Sequence, residues 1–312
     1  LNLAAGIHAN IPMDVYINDP APDPSLSTGI AKALLNECPL AAWHCHPRLN
    51  SGHEGEDTTA TDIGRIAHSV LLEGDTSKVS VIDPDDYPGK KGGIPDGWTN
   101  DAIRSARDAA RAAGKIPILR DKWPAIEAMV EIAKHNFSQM EARIGFKLSE
   151  MLTERTILWQ EGGVWCRSRP DLMTPDYSLV IDFKTTDVSV HPDTFGRQIT
   201  NMGYDLQAAL IRNGVYAITG KTPDVVFWAQ QVSSPHLSSF VGMDPTFCAI
   251  SEKKLSVAIA RWNECIQKSE WPGYPADICW VQPPPWELAK WESSEIEPMS
   301  SELLEQLERV AP

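Results

Sequence analysis

Apolar residues fall on one helical face at Ile63, Ile66, Ala67, Val70 and Leu71, which predicts an amphipathic helix over 62–73 with His68 beside the stripe. Similar spacing predicts a helix through Ile30, Leu34 and Leu35 to Asn36, capped by Ser25 or Ser27 and followed by Pro39. Two more helices are expected, an alanine-rich one over 100–113 and another over 123–144. The polar, Pro- and Gly-rich stretches 1–26, 44–59 and 83–98 are read as loops.

Near Met151 the pattern changes. Residues 153–160 and 164–173 read as strands joined by a hairpin turn at Glu161-Gly162-Gly163, and Pro175-Asp176 separates them from a strand over 178–185. A helix over 194–217, a strand over 224–232 and a helix over 249–268 follow. After Pro283-Pro284-Pro285 one short helix is expected near 300–309, and no internal repeat is found. Helices, a three-strand meander, then helix, strand and helix define an α/β (α+β) chain: a central mixed sheet flanked by helices, with a mainly helical first half. No stretch reads as a linker, so a single domain is expected over 1–290, its parts being 1–150 and 151–290, with a tail over 291–312.

Composition narrows the class. A hydrophobic fraction of 42% is that of an ordinary globular chain, and no apolar run approaches the roughly 20 residues of a membrane helix. The first residues lack the basic and apolar regions of a signal peptide. The six cysteines form no CxxC pair and are read as reduced thiols of a cytoplasmic protein; their wide spacing disfavours an iron–sulfur cluster. Cys38, His44, Cys45 and His46 are likewise wrongly spaced for a standard zinc site. The net charge of −14 argues against broad nonspecific coating of DNA. Part of it belongs to the tail, rich in Glu295, Glu297, Glu302, Glu305 and Glu308.

The chemistry centres on Asp182-Phe183-Lys184. An acid-x-Lys match alone means little in a chain with 42 acids, and Glu252-Lys253-Lys254 is another. The Asp182 match, however, ends the apolar run Leu179-Val180-Ile181, so Asp182 and Lys184 leave a strand end on one face. Asp171, after Pro170, ends the preceding predicted strand. Two carboxylates meeting at strand ends suit a hard cation, Mg²⁺ or Mn²⁺, which lowers the pKa of water for attack on a phosphodiester. Lys184 then orients or deprotonates that water or offsets phosphate charge. Without Asp171, the Asp182–Lys184 pair would read as a surface ion pair. Arg167 and Arg169 share a face with Asp171 and suit either phosphate contact or structural ion pairs. Trp228, Trp262, Trp271, Trp280, Trp286 and Trp291 are read as packing residues rather than a stacking platform.

Pro170-Asp171 with Asp182-x-Lys184 resembles the PD-(D/E)XK nuclease motif. Gly203-Tyr204-Asp205-Leu206-Gln207 is similar to the tyrosine–glutamine helix of its RecB-like branch, and Gly64-Arg-Ile-Ala-His68 with Leu71-Leu72-Glu73 to that branch's histidine helix. Ser27-Thr-Gly-Ile with Cys38-Pro39-Leu40 and Trp43 resembles the start of RecE-type exonucleases (exonuclease VIII), so the likeness spans most of 25–290. The resemblance implies metal binding by Asp171, Asp182, the Phe183 backbone carbonyl and His68, with Lys184 supporting the nucleophilic water. It implies that Tyr204 and Gln207 position the lysine, the water or a DNA phosphate. Glu154 is a weaker ligand candidate with Glu161 as its competitor, and His68 is equally readable as a structural histidine. The implied activity is exonucleolytic: digestion of linear double-stranded DNA from the 5′ end, leaving 3′ overhangs for recombination. The implied partners are DNA ends, a single-strand annealing protein of prophage type, and further copies of the chain in a ring. Two rivals remain, another nuclease on the same core (an endonuclease or CRISPR-associated type) and a catalytically silent binding module.

Overall fold

A computed structural model describes residues 2–50, 52, 59–89 and 92–292. Leu1–Gly273 forms one compact unit and Tyr274–Pro312 a second. The first unit opens with β1 (Gly6–His8), α1 (Met13–Ile17), α2 (Thr28–Asn36), α3 (Pro39–Cys45) and α4 (Thr59–His68). β2 (Val79–Ile82), α5 (Asp101–Ala112), β3 (Ile116–Leu119) and α6 (Trp123–Ile144) follow. Its second half holds β4 (Leu152–Thr153), β5 (Thr156–Glu161), β6 (Val164–Ser168), β7 (Leu172–Met173) and β8 (Leu179–Thr186). α7 (Pro192–Asn201), α8 (Tyr204–Thr219), β9 (Asp224–Gln231), β10 (Ser238–Gly242) and α9 (Pro245–Lys268) complete it. The second unit contains α10 (Pro285–Glu292).

The expected mixed sheet and helical first half are both present. The three-strand meander is not. Each of its first two strands breaks and enters two sheets: a three-stranded sheet β1-β5-β6 and a five-stranded sheet β10-β9-β8-β7-β4. Glu154 causes the first break, with φ of +53° between β4 and β5. Pro170 lies in the second; it has no N–H to donate to a ladder. In the larger sheet β8 pairs with β9 in parallel, and the other pairs are antiparallel. Gly162 and Gly163, both at positive φ, close the β5–β6 hairpin as a two-residue turn.

Other differences have local causes. The helix expected over 194–217 is two, because Gly203 adopts a left-handed conformation and starts α8 anew. Asp244 caps α9 four residues earlier than the apolar spacing suggests, its side chain accepting from Phe247 N–H. The helix expected over 62–73 leaves α geometry after His68 and finishes as a π turn over Ser69–Glu73. β2, β3 and β10 were missed, and residues 44–45 belong to α3 rather than a loop. Trp228 and Trp262 are fully buried, whereas Trp280, Trp286 and Trp291 are exposed and do not pack as expected. The short helix expected near 300–309 lies outside the described residues.

One cluster packs α2, α8 and α9 against β5, β6 and one face of the larger sheet; a second packs α4 and α6 against its other face. Gly214 of α8 permits a close helix–sheet approach in the first. A Cβ there would meet Trp159 at 2.7 and 2.9 Å and Ile157 at 3.1 Å. Trp159 is buried and its Nε1 donates to Glu161, so it cannot swing aside. Gly214→Ala gains about 1 kcal/mol of helix propensity, but overpacking costs about 1–3 kcal/mol. We expect a melting temperature lower by a few degrees; an unchanged or higher value in a thermal melt would disprove this tight contact.

Candidate active site

The sheet register aligns the acids. β4 pairs with β7 at Thr153↔Leu172, and β7 pairs with β8 at Leu172↔Ile181. Continuing both by one residue sets Glu154, Asp171 and Asp182 in one row across three strands, where cross-strand neighbours share a face. The Glu154 N–H donates to the Asp171 carbonyl at 2.9 Å, which locks this row at the strand ends. Two residues on, Lys184 returns to the same face, and its ammonium meets Asp182 Oδ2 at 2.5 Å. Asp171 Oδ2 accepts from the Phe183 N–H at 2.8 Å. On a strand, the N–H and C=O of one residue leave by the same edge, so the Phe183 carbonyl faces the Asp171 side, beyond the end of β7.

Two helices close over the row. α4 crosses the end of β8 closely because Gly64 has no side chain; a Cβ would sit 3.1 Å from Thr185 Oγ1. His68, one turn further, brings Nε2 to 2.9 Å from Glu154 Oε1 and 3.1 Å from Asp171 Oδ1. From α8, Gln207 Nε2 donates to Asp182 Oδ1 at 2.7 Å. Tyr204, three residues earlier on the same face, lies under the Lys184 ammonium, 4.8 Å from its ring centroid. Phe195 and Phe227 hold that ring in place.

All six catalytic candidates, His68, Asp171, Asp182, Lys184, Tyr204 and Gln207, therefore converge. Of the two competing glutamates, Glu154 reaches the centre. Glu161 does not: it accepts hydrogen bonds from Trp159 and Asn213, each at 2.9 Å. Both arginines form ion pairs, Arg169 with Glu154 and Arg167 with Asp19. His46 pairs with Asp19 at 3.3 Å, and His44 hydrogen-bonds to Asn50.

Sequence reasoning missed the enclosing wall. The segment expected to be irregular forms β1 and α1 and is fastened by Asp19. The Asp19 carboxylate accepts from Ser25 Oγ at 2.6 Å and Ser25 N–H at 2.8 Å, and meets Arg167 at 3.2 Å. Arg169 donates to the Ile11 carbonyl, and the Tyr16 ring lies 5.8 Å from one guanidinium and 5.6 Å from the other. Behind this wall a cavity of about 630 Å³ is lined by Ser27, Thr28 and Gly29 at the start of α2, by Arg167, Ser168 and Arg169, and by Gln207. No periodicity in the segment signals any of this.

The charges oppose one another at close range. Burial pushes Asp182 up to about 6 against the pull of Lys184, with Asp171 adding to the rise. Burial also opposes charge on His68, but Asp171 and the hydrogen bonds of the surrounding carboxylates outweigh it and push the imidazole up to about 12. Asp171 is lowered, the attraction of His68 overcoming its burial. Lys184 is raised, Asp182 and Asp171 overcoming its burial. A row of carboxylates balanced by protonated groups suits a divalent cation, which would displace protons on binding.

The fold and the constellation are those of the PDDEXK class. A family model described as a PDDEXK-like domain of unknown function (DUF3799) matches residues 28–281, and the chain belongs to that family. No curated protein matches the sequence. Among solved structures, a provisionally assigned exonuclease from Eubacterium rectale is similar with a TM-score of 0.51 and 13% identity, covering 95% of this chain and 98% of that one. A phage-related exonuclease from Haemophilus somnus has a TM-score of 0.27 at 13% identity, covering 55% and 85%. An alkaline exonuclease from Laribacter hongkongensis has 0.23 at 13%, covering 63% and 96%.

The shift of Asp182 sets a pH dependence. With a value of about 6, the carboxylate is mostly protonated at pH 5 and mostly ionised at pH 7. Metal affinity should therefore rise by about tenfold or more between the two from Asp182 alone, with proton release. Calorimetric Mn²⁺ titrations in buffers of differing ionisation enthalpy would measure both. Equal affinity at the two pH values would remove Asp182 from the ligand set.

Proposed function

We propose that this protein is a metal-dependent exodeoxyribonuclease that degrades linear double-stranded DNA from the 5′ end and leaves 3′ overhangs for recombination. The observation that carries the reading is the convergence of Glu154, Asp171, Asp182, Lys184, His68 and Gln207 at one set of strand ends. Asp171, Asp182, the Phe183 carbonyl, His68 and Glu154 would hold Mg²⁺ or Mn²⁺, which when bound lowers the pKa of water and offsets phosphate charge. Lys184 lies where it can orient the attacking water and neutralise developing charge on the phosphate. Gln207 fixes the Asp182 carboxylate, and Tyr204 fixes the lysine.

The neighbouring cleft supports a nucleic-acid substrate. The start of α2 offers backbone N–H groups to the cleft, a setting favourable to phosphate oxygens, while Arg167 and Arg169 line it engaged with Asp19 and Glu154. Exonuclease rather than endonuclease activity rests on the resemblance and on the likeness to the Eubacterium rectale structure over nearly the full length of both chains. On the same resemblance, a homo-oligomeric ring and a single-strand annealing partner complete the working system, in a prophage-type, cytoplasmic setting.

Linear duplex DNA labelled at either end, with Mg²⁺ and with EDTA, beside closed circular DNA, tests the reading. Early release of the 5′ label with circles spared is expected. Cutting of circles would mean an endonuclease, and no metal-dependent cleavage of either substrate would favour a binding module.

A further inference from the structure

The π turn after His68 buries Ser69 and Leu71 and also changes which residue stands over the imidazole. α4 runs regularly to His68; the backbone then widens over Ser69–Glu73 and closes at Gly74, whose N–H donates to the Ser69 carbonyl. In a regular α-helix, residues five apart diverge by about 140° around the axis. The i→i+5 hydrogen bonding of a π turn stacks them instead. Glu73 consequently stands over His68, with Oε1 3.7 Å from Nδ1, an ion-pair rather than a hydrogen-bond distance. The opposite ring nitrogen, Nε2, faces Glu154 and Asp171. The other Glu73 oxygen is held by Lys78 Nζ at 2.6 Å, and Ser69 Oγ secures the turn by donating to the Asp75 carbonyl at 2.8 Å.

We propose that Glu73 is a positioning residue: through the π turn its carboxylate fixes the orientation of the His68 imidazole so that Nε2 is presented to the acidic centre. The inference rests on reading that centre as a cation site. A carboxylate on one imidazole nitrogen sets the tautomer and the ring angle and leaves the other nitrogen for the metal. Lys78 anchors Glu73 from the far side, so Lys78, Glu73 and His68 form a line that ends at Glu154 and Asp171. Glu73 lies at the surface with its side chain 30% exposed, and it belongs to no core cluster, so its replacement removes no core packing.

Calorimetric Mn²⁺ titration of the full chain and of Glu73→Ala, Glu73→Gln, His68→Ala and the Glu73→Ala/His68→Ala double variant tests this, with thermal melts as the fold control. Loss of an outer partner of a metal-binding histidine costs about tenfold or more in affinity. Glu73→Ala is therefore expected to weaken Mn²⁺ binding by about that factor, Glu73→Gln by less because it keeps an acceptor oxygen, and neither to shift the melt appreciably. The double variant should bind as His68→Ala does, since Glu73 acts through the ring. Additive losses in the double variant would overturn the proposal in favour of direct coordination by Glu73, and unchanged affinity in Glu73→Ala would overturn it outright. Because binding is read without turnover, a protein that binds Mn²⁺ in this pattern yet cleaves no DNA would refute the nuclease reading and leave the positioning role standing.

Discussion

Asp182→Ala is expected to slow DNA cleavage by about a thousandfold or more, equivalent to about 4 kcal/mol of transition-state stabilisation, with melting temperature within a few degrees of the parent. The two halves of the expectation have separate causes. Asp182 touches Lys184 and Gln207 and stands in line with Asp171, so under the proposed reading its removal would deprive a bound cation of a ligand. The same carboxylate is a poor contributor to the fold, because burial drives its pKa up to about 6. At pH 7 the folded chain must hold it ionised against that preference, and alanine removes the penalty. Lys184 loses its closest partner but stays under the attraction of Asp171. Lys184→Ala should cost a comparable loss of rate while leaving Mn²⁺ binding in place, since lysine is no ligand. Single-turnover cleavage of labelled duplex, run with thermal melts, distinguishes these outcomes. Cleavage by Asp182→Ala within tenfold of the parent would refute the site assignment.

The centre was legible in the sequence because its parts lie on regular elements. Strand alternation alone puts Asp182 and Lys184 on one face, and helical spacing alone puts Tyr204 and Gln207 on another. What alternation cannot give is which strands are neighbours. In the sequence 153–160 and 164–173 each read as one strand, yet the backbone turns at Glu154 and at Arg169–Asp171 and divides each between sheets. That division brings Glu154 beside Asp171 and leaves Glu161 far along β5, which is why the choice between the glutamates was open in the sequence. The place of Glu73 over the His68 ring was hidden for a similar reason. Its distance from His68 places it on another face of any α-helix, and only the π turn returns it. The wall over 6–26 was invisible because a three-residue strand pairing and single polar contacts, rather than a periodic apolar face, hold it.

Those contacts make Asp19 the second position of large effect. Asp19 is fully buried, and its carboxylate serves Arg167, His46 and Ser25 at once. Burial works against its charge, but the His46 hydrogen bond and Arg167 outweigh it and keep the pKa below the usual carboxylate value. Asp19→Ala leaves the Arg167 guanidinium, itself only 4% exposed, without a counter-ion. Breaking one side of a buried pair costs about 3–5 kcal/mol. The folded pKa is depressed, so this stabilisation is present above the unfolded value of about 3.9 and is lost as pH falls through the lower folded value. The gap in melting temperature between the parent and Asp19→Ala should therefore be large at pH 7 and narrow toward pH 3. Function should follow the same path: Tyr16 is stacked over Arg167 and Arg169, and Arg169 is the partner of Glu154, so loosening the segment should raise the KM for DNA more than it lowers kcat. Limited proteolysis should cut first within residues 1–26 in the variant and not in the parent. A variant that melts with the parent at pH 7 and resists cleavage there would show that the wall is held by β1 pairing with β5 instead, and Asp19 would lose its role as the fastening of the site.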